Sequence, residues 1–155
     1  MELLSEKQLR AWAEQNRKEL EKEIIRFFGI SGLKLNQTKL SYQRGYNYQT
    51  RAYDDDKPGV LSGSFSTGPI ANHLGILAKD LKEAILRVDI TIRPDTRDTR
   101  WETWGRIEIL MMPKSARTNR IEPIASWSAT KTGITYTSFM SAKRNKPKGN
   151  HLISE

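Results

Sequence analysis

The chain has 155 residues, with 26 Lys+Arg against 18 Asp+Glu, a formal net charge of +8, a pI of about 9.8 and no cysteine. That is the length of one ordinary domain, which buries roughly 68–70% of the surface its unfolded chain exposes, and the lack of cysteine excludes thiolate metal sites, a cysteine nucleophile and a disulfide scaffold. No apolar run approaches the roughly 18 residues of a membrane span, and residues 1–28, with six basic and six acidic groups, are too charged for a signal peptide.

The first segment predicts a long amphipathic helix over about 5–28. Ser5-Glu6-Lys7-Gln8 reads as a capping box, in which Ser5 accepts from a first-turn amide and Gln8 reaches back. Leu9, Trp12, Ala13, Leu20, Ile24, Phe27 and Phe28 then fall on one helical face, interrupted by Asn16. Gly29 stands where a left-handed C-cap belongs. Residues 31–68 are rich in Gly, Ser, Thr, Asn, Gln and Tyr, and read as an extended loop with short strands around 39–53 and 60–66. Asp54-Asp55-Asp56-Lys57-Pro58-Gly59 is the turn that joins them.

Gly68-Pro69 opens a second helical pattern near 69–85, with Ile70, Leu74, Leu77, Leu81 and Ile85 on one face. From residue 86 to 140 an antiparallel meander of about four strands is expected. Leu86, Val88, Ile90 and Ile92 alternate with Arg87, Asp89, Thr91 and Arg93, and a second strand runs from Trp101 to Met112. Ile121 to Ala129 and Gly133 to Met140 then pair as a hairpin, with Pro123 calling for an edge position or a bulge. The fold class is α+β, a single domain over 1–140 followed by a basic C-terminal arm over 141–155.

Little in the chain points to catalysis, and no cofactor or metal is expected. His73 and His151 lack partner motifs, and Ser62, Ser64 and Ser66 lack a recognisable base or a nucleophile elbow. Asp54, Asp55 and Asp56 are consecutive and point in different directions, which suits an exposed turn better than one cation site. Asp95 with Glu108 has the outline of a nuclease acid pair, but Leu110 stands where that pattern needs a lysine. The chain reads as a non-enzyme.

Charge and aromatic patterning point to binding. Residues 113–155 carry eight basic against two acidic groups, so most of the excess belongs to this last stretch. Lys143, Arg144, Lys146 and Lys148 supply half of the +8, and Arg117 and Arg120 precede them as further contacts for a polyanion or an acidic partner. Tyr46, Tyr48 and Tyr53 interleave with Arg44 and Arg51. Such a pattern stacks on single-stranded bases at about 1–3 kcal/mol each, and four phosphate contacts by the arm would give a salt slope of about −3.6 on duplex DNA. The same alternation also describes a half-buried strand with tyrosine hydroxyls at its rim.

Pro58-Gly59-Val60-Leu61-Ser62-Gly63-Ser64-Phe65, downstream of an amphipathic helix, resembles the G-x-L-x-x-S-[I/F] strand-opening motif of bacteriophage tail-completion and minor tail (head–tail joining) proteins. The arginine usual after the glycine of that motif is Val60 here. The resemblance implies an α+β assembly protein of the virion or host cytoplasm that forms a homo-oligomeric ring with other structural proteins and is not an enzyme. It implies that Gly59 makes a tight turn, Leu61 and Phe65 enter the core, and Ser64 bonds locally. The alternative class is a basic protein that binds single-stranded RNA or DNA through residues 42–53 and the arm.

Overall fold

The computed structural model describes residues 3–70, 72, 81–95, 100–114, 118, 120–130 and 133–137. Helix α1, Glu6–Phe28, begins at the capping box: Ser5 Oγ accepts from Gln8 N at 3.2 Å, and Gln8 Oε1 accepts from Ser5 N at 2.8 Å. It ends at Gly29, whose φ of 68° is the left-handed region that favours glycine and whose amide donates to Ile25 O. Leu9, Ala13, Leu20, Ile24 and Phe28 form its buried face. Asn16 shares that burial because its Nδ2 donates to Trp12 O one turn back, at 2.9 Å, which lowers the cost of an amide among apolar neighbours.

Eight strands are described: β1 (Asn36–Gln43), β2 (Tyr46–Asn47), β3 (Ala52–Tyr53), β4 (Val60–Pro69), β5 (Leu81–Pro94), β6 (Trp101–Pro113), β7 (Arg120–Thr130) and β8 (Gly133–Thr137). Six of them form one antiparallel sheet in the order β1-β4-β5-β6-β7-β8, while β2 and β3 pair as a separate small ribbon. The period of two decides which face is dry. Leu61 and Phe65, then Leu86, Val88, Ile90 and Ile92, then Ile107, Ile109 and Met111, all lie in the core with the apolar face of α1. The helix reaches β4, β5 and β8, so it covers one face of the sheet. No helix among the described residues is long and apolar enough to cross a membrane.

A second link fastens the helix to the start of the sheet. Leu35, 1% exposed, has both its backbone groups held by helix side chains. Its amide donates to Glu21 Oε2 at 2.8 Å, and its carbonyl accepts from Arg17 Nη1 at 2.9 Å. Arg17 also bonds Glu14 and Glu21. That hydrogen-bonded pairing holds the Glu14 carboxyl below its ordinary value and raises Arg17. A buried peptide that lacks a strand partner on this side is thus satisfied by an ion pair.

Two expectations are corrected. The second helix near 69–85 is not formed at either end: Pro69 closes β4 and Leu81–Ile85 belong to β5; residues 71 and 73–80 lie outside the described residues. The period-2 run of buried positions starts at Ala84 and not at Leu86, and Ile85 already pairs with Pro69 across the ladder. The apolar spacing over 70–85 therefore mixes a strand end with other positions. Nor are residues 31–68 an extended loop. The short strands expected around 39–53 and 60–66 are there as β1 to β4, and β1 starts earlier than expected, at Asn36, because the first four residues of this edge strand, NQTK, are exposed and polar. Pro123 sits in β7 at a register shift opposite Ile107 and Glu108, the bulge that an internal proline requires.

Candidate functional site

The excursion between β1 and β4 is the most exposed concentration of aromatic surface in the described molecule. Tyr46 pairs with Tyr53 across β2 and β3, and their rings meet edge to face at 5.5 Å. Tyr48 packs against Tyr46 in the same manner at 4.9 Å. Tyr48 is 83% exposed and Tyr53 61%. Arg44 lies over the Tyr53 ring at 5.1 Å and pairs with Asp55 at 3.2 Å.

Short-range hydrogen bonds set this ribbon's shape. Asn47 Oδ1 accepts from the amides of Gln49 and Thr50, and Arg51 N donates to Asn47 O. Arg51, with φ of 57°, takes the left-handed conformation at the tip, a position that costs a non-glycine residue about 1–3 kcal/mol and persists because its surroundings hold it. At the base, Asp54 N donates to Gly45 O, Lys57 N donates to Asp54 O, and Asp54 Oδ1 accepts from Asp56 N. The acid turn therefore has a structural duty at Asp54, while Asp55 and Asp56 face solvent.

The residues of the tail-protein resemblance lie beneath the ribbon. Gly59 just precedes β4, and Leu61 and Phe65 are fully buried. Ser64 lies opposite Asp89 on β5 and Lys39 on β1. Gly59 does not have the positive φ of a left-handed turn; it is required by close approach instead. A Cβ there would come within 2.2 Å of Tyr42 Oη and 2.5 Å of its Cζ. The motif thus anchors the return of the ribbon to the sheet and does not itself present a surface.

Arg120 is exposed at the start of β7, with Nη2 3.9 Å from Met111 Sδ. Arg117, Lys143, Arg144, Lys146 and Lys148 lie outside the described residues. The ribbon brings Tyr46, Tyr48, Tyr53 and Arg44 together; Arg51 occupies its tip.

Charged rungs on the face of the sheet opposite α1 were not singled out from the sequence. Arg87 pairs with Glu108 across β5 and β6 at 2.9 Å, and its Nε, buried without a hydrogen bond, lies 3.5 Å from Asp89 Oδ1. Burial raises the Asp89 carboxyl above its ordinary value, against the pull of Arg87 and with the help of Glu108. Arg93 sits over Trp104 at 4.6 Å and pairs with Glu102. The signal was available: Arg87, Asp89 and Arg93 alternate with the apolar residues of β5, and Glu102 and Glu108 have the same phase on β6. It needed the register to show which charges meet.

These features define an α+β protein in which one helix covers one face of an open antiparallel sheet and a preorganised aromatic ribbon projects beside it. No family model, curated protein or solved structure matches the chain.

Proposed function

We propose that this chain is a non-enzymatic assembly protein that docks through the β2–β3 ribbon, of the kind that completes or joins a bacteriophage tail in the virion or the host cytoplasm. Its partners are copies of itself, arranged as a ring, and other structural proteins. The ribbon carries this reading. Tyrosine and arginine are enriched at the energetic centres of interfaces, and a ribbon already held by its own hydrogen bonds loses little entropy on docking. The tail-protein motif adds to it, since Pro58 to Phe65 is the segment that seats the ribbon on the sheet.

Single-stranded nucleic acid is the second reading, favoured by the convergence of three tyrosines with Arg44. Against it, Arg44 is already paired with Asp55, and Asp56 adds a further exposed carboxylate beside the rings. Phosphates would meet a ribbon with little net positive charge to offer.

One pair of measurements separates the two. Sedimentation of the purified chain should reveal an oligomer, and Tyr48→Ala with Tyr53→Ala should dissociate it while leaving its circular dichroism unchanged. A monomer that retains single-stranded RNA on a filter at about 0.15 M salt, and loses it through the same substitutions, would overturn the assembly reading.

A further inference from the structure

Among the described residues, two strands of the main sheet pair on one side only: β1 with β4, and β8 with β7. The open side of such a strand is a row of amides and carbonyls ready to accept another strand. Just before β1 the fold supplies a substitute, since Arg17 and Glu21 take both backbone groups of Leu35. That cover stops at Leu35, and Asn36–Gln43 follows as the edge. We propose, building on the assembly reading, that β8 of one copy pairs antiparallel with β1 of the next, so that the sheet runs on from copy to copy with α1 on the same face throughout.

Direction, level, phase and length all match between the two edges. Every neighbouring pair in the six-stranded sheet is antiparallel, so β1 and β8 run in opposite directions. A copy shifted sideways, without slipping along the strands or turning over, therefore lays its β1 antiparallel against β8. The level follows from the rungs. One runs from Tyr42 through Leu61, Ile92, Thr103 and Ala129 to Ile134, and the next from Ser41 through Ser62, Thr91, Trp104 and Ser128 to Thr135. A level repeat thus sets Tyr42 opposite Ile134 of its neighbour, and Ser41 opposite Thr135. Residues 39–43, the regular stretch beyond the bulge in β1, then span the same five levels as Gly133–Thr137. Along each rung hydrogen-bonded and non-hydrogen-bonded pairs alternate, because a residue turns both its backbone groups to one side. Five pairings within the chain make the first and last the same kind, so the sixth, between copies, continues the alternation. Where a residue of β1 turns its groups outward, so does the residue level with it on β8.

One chain cannot make this contact with itself. The sheet is open, and its edges lie five strand spacings apart, about 24 Å. A foreign strand would have to suit one edge alone, whereas these two edges suit each other. The opposed positions carry no like charges: Lys39 falls level with Thr137, Ser41 with Thr135 and Gln43 with Gly133. The alternate positions set Leu40 level with Tyr136 and Tyr42 level with Ile134, residue types that favour strand pairing. Neither stretch contains a proline. The contact is heterologous, and its repetition closes a ring or continues as a filament. Because the ribbon leaves the sheet after Gln43, at this same edge, the neighbour that pairs with β1 also stands beside the ribbon.

A chain without cysteine allows a clean cross-linking test. Ser41→Cys with Thr135→Cys sets two thiols opposite each other across the junction, with about 4.5–5.5 Å between Cα atoms, a separation that a disulfide spans. Within one chain the same two positions are about 24 Å apart and cannot bond. After mild oxidation of the full-length protein, non-reducing electrophoresis should show a ladder of cross-linked species that ends at the oligomer size found by sedimentation. Either single-cysteine variant should give none. Lys39→Cys with Thr137→Cys should repeat the ladder, and Lys39→Cys with Thr135→Cys, out of register and beyond about 7 Å, should not. Circular dichroism under reducing conditions should match wild type for each variant. If the wild type sediments as an oligomer and neither matched pair of a folded variant cross-links, the edge pairing is overturned and the assembly reading stands. Cross-linking by Ser41→Cys alone overturns it in favour of two β1 edges meeting. Equal ladders from matched and mismatched pairs overturn the register and the contact built on it. A chain that sediments as a monomer overturns this contact together with the self-association it rests on.

Discussion

Replacing Trp127 by phenylalanine probes the most specific contact in the core. Trp127 lies on β7, is almost fully buried, and reaches across β6 at Gly105 to donate from Nε1 to the carbonyl of Asp89 on β5, at 3.0 Å. The β5–β6 pairing runs through Val88↔Ile107 and resumes at Thr91↔Trp104, so the indole supplies a donor where the ladder pauses. Phenylalanine cannot donate, and a carbonyl that loses its partner in a buried place costs about 1–3 kcal/mol. The smaller ring also leaves roughly 40 Å³ unfilled, which at about 24 cal/mol per Å³ costs about 1 kcal/mol. The expected loss is about 2–4 kcal/mol, a large share of the 5–15 kcal/mol that stabilises a typical domain. It corresponds to a fall in Tm of roughly 4–16 °C, read by urea unfolding and by thermal melts. Gly105→Ala is the companion, because its Cβ would lie 1.7 Å from Asp89 O and 2.7 Å from Trp127 Nε1. Its cost should be partly recovered in the Trp127→Phe background, with a coupling of about 0.5–3 kcal/mol. A Trp127→Phe protein within about 0.5 kcal/mol of wild type would refute the donor role assigned to the indole.

Three further outcomes are expected. Asp89→Asn should be more stable than wild type at neutral pH. Burial raises the folded pKa of Asp89 above 3.8, so its stabilising contribution is present below that value and is lost as pH rises through the folded pKa; melts of both proteins should converge in acid, and a constant difference across pH would count against the argument. Glu21→Ala should cost about 1–3 kcal/mol in urea unfolding, because it leaves the buried Leu35 amide without its acceptor, and Glu21→Gln should recover part of it. Gly59→Ala should cost about 1–3 kcal/mol by crowding the Tyr42 ring, and pairing it with Tyr42→Ala should make the glycine change nearly neutral; additive losses would show that the strain lies elsewhere.

Elements with a local physical signature were legible from the sequence. The helix over Glu6–Phe28 announces both of its ends through Ser5, Gln8 and Gly29, and β5 and β6 announce themselves through alternation at Val88 to Ile92 and Ile107 to Met111. What failed lacked such a signature. The first residues of the edge strand β1, Asn36 to Thr38, are exposed and polar, so the strand's start was read as loop. The helical spacing of Ile70, Leu81 and Ile85 arose from residues that belong to different structures, one of them a buried Ile70 whose amide bonds Ala84 O across the strands. The tyrosine cluster was legible as composition, but its grouping depended on the pairing of Tyr46 with Tyr53. The rungs of charge on β5 and β6 depended on register alone.

The two exposed surfaces of this fold differ in what they can contribute to an interface. On the face opposite α1, Arg87 with Glu108 and Arg93 with Glu102 are already paired within the sheet. Covering such pairs returns little: the more exposed Arg93–Glu102 pair is worth only about 0–1 kcal/mol and is costly to bury, and Arg87–Glu108 already holds its carboxylate out of water. The ribbon is the opposite case. Tyr48 and Tyr53 keep most of their surface in water, and each aromatic ring buries about 150–250 Å² when it docks, at roughly 25 cal/mol per Å². Even after the loss of translational and rotational freedom, two rings held ready in one orientation provide the larger driving force. On the assembly reading we propose, the +6 carried by residues 113–155 acts on the rate of encounter more than on affinity. On the same reading, interface energy is concentrated where the backbone is most constrained by its own turns, and Pro58 to Phe65 serve it indirectly, by fixing the base from which the ribbon projects.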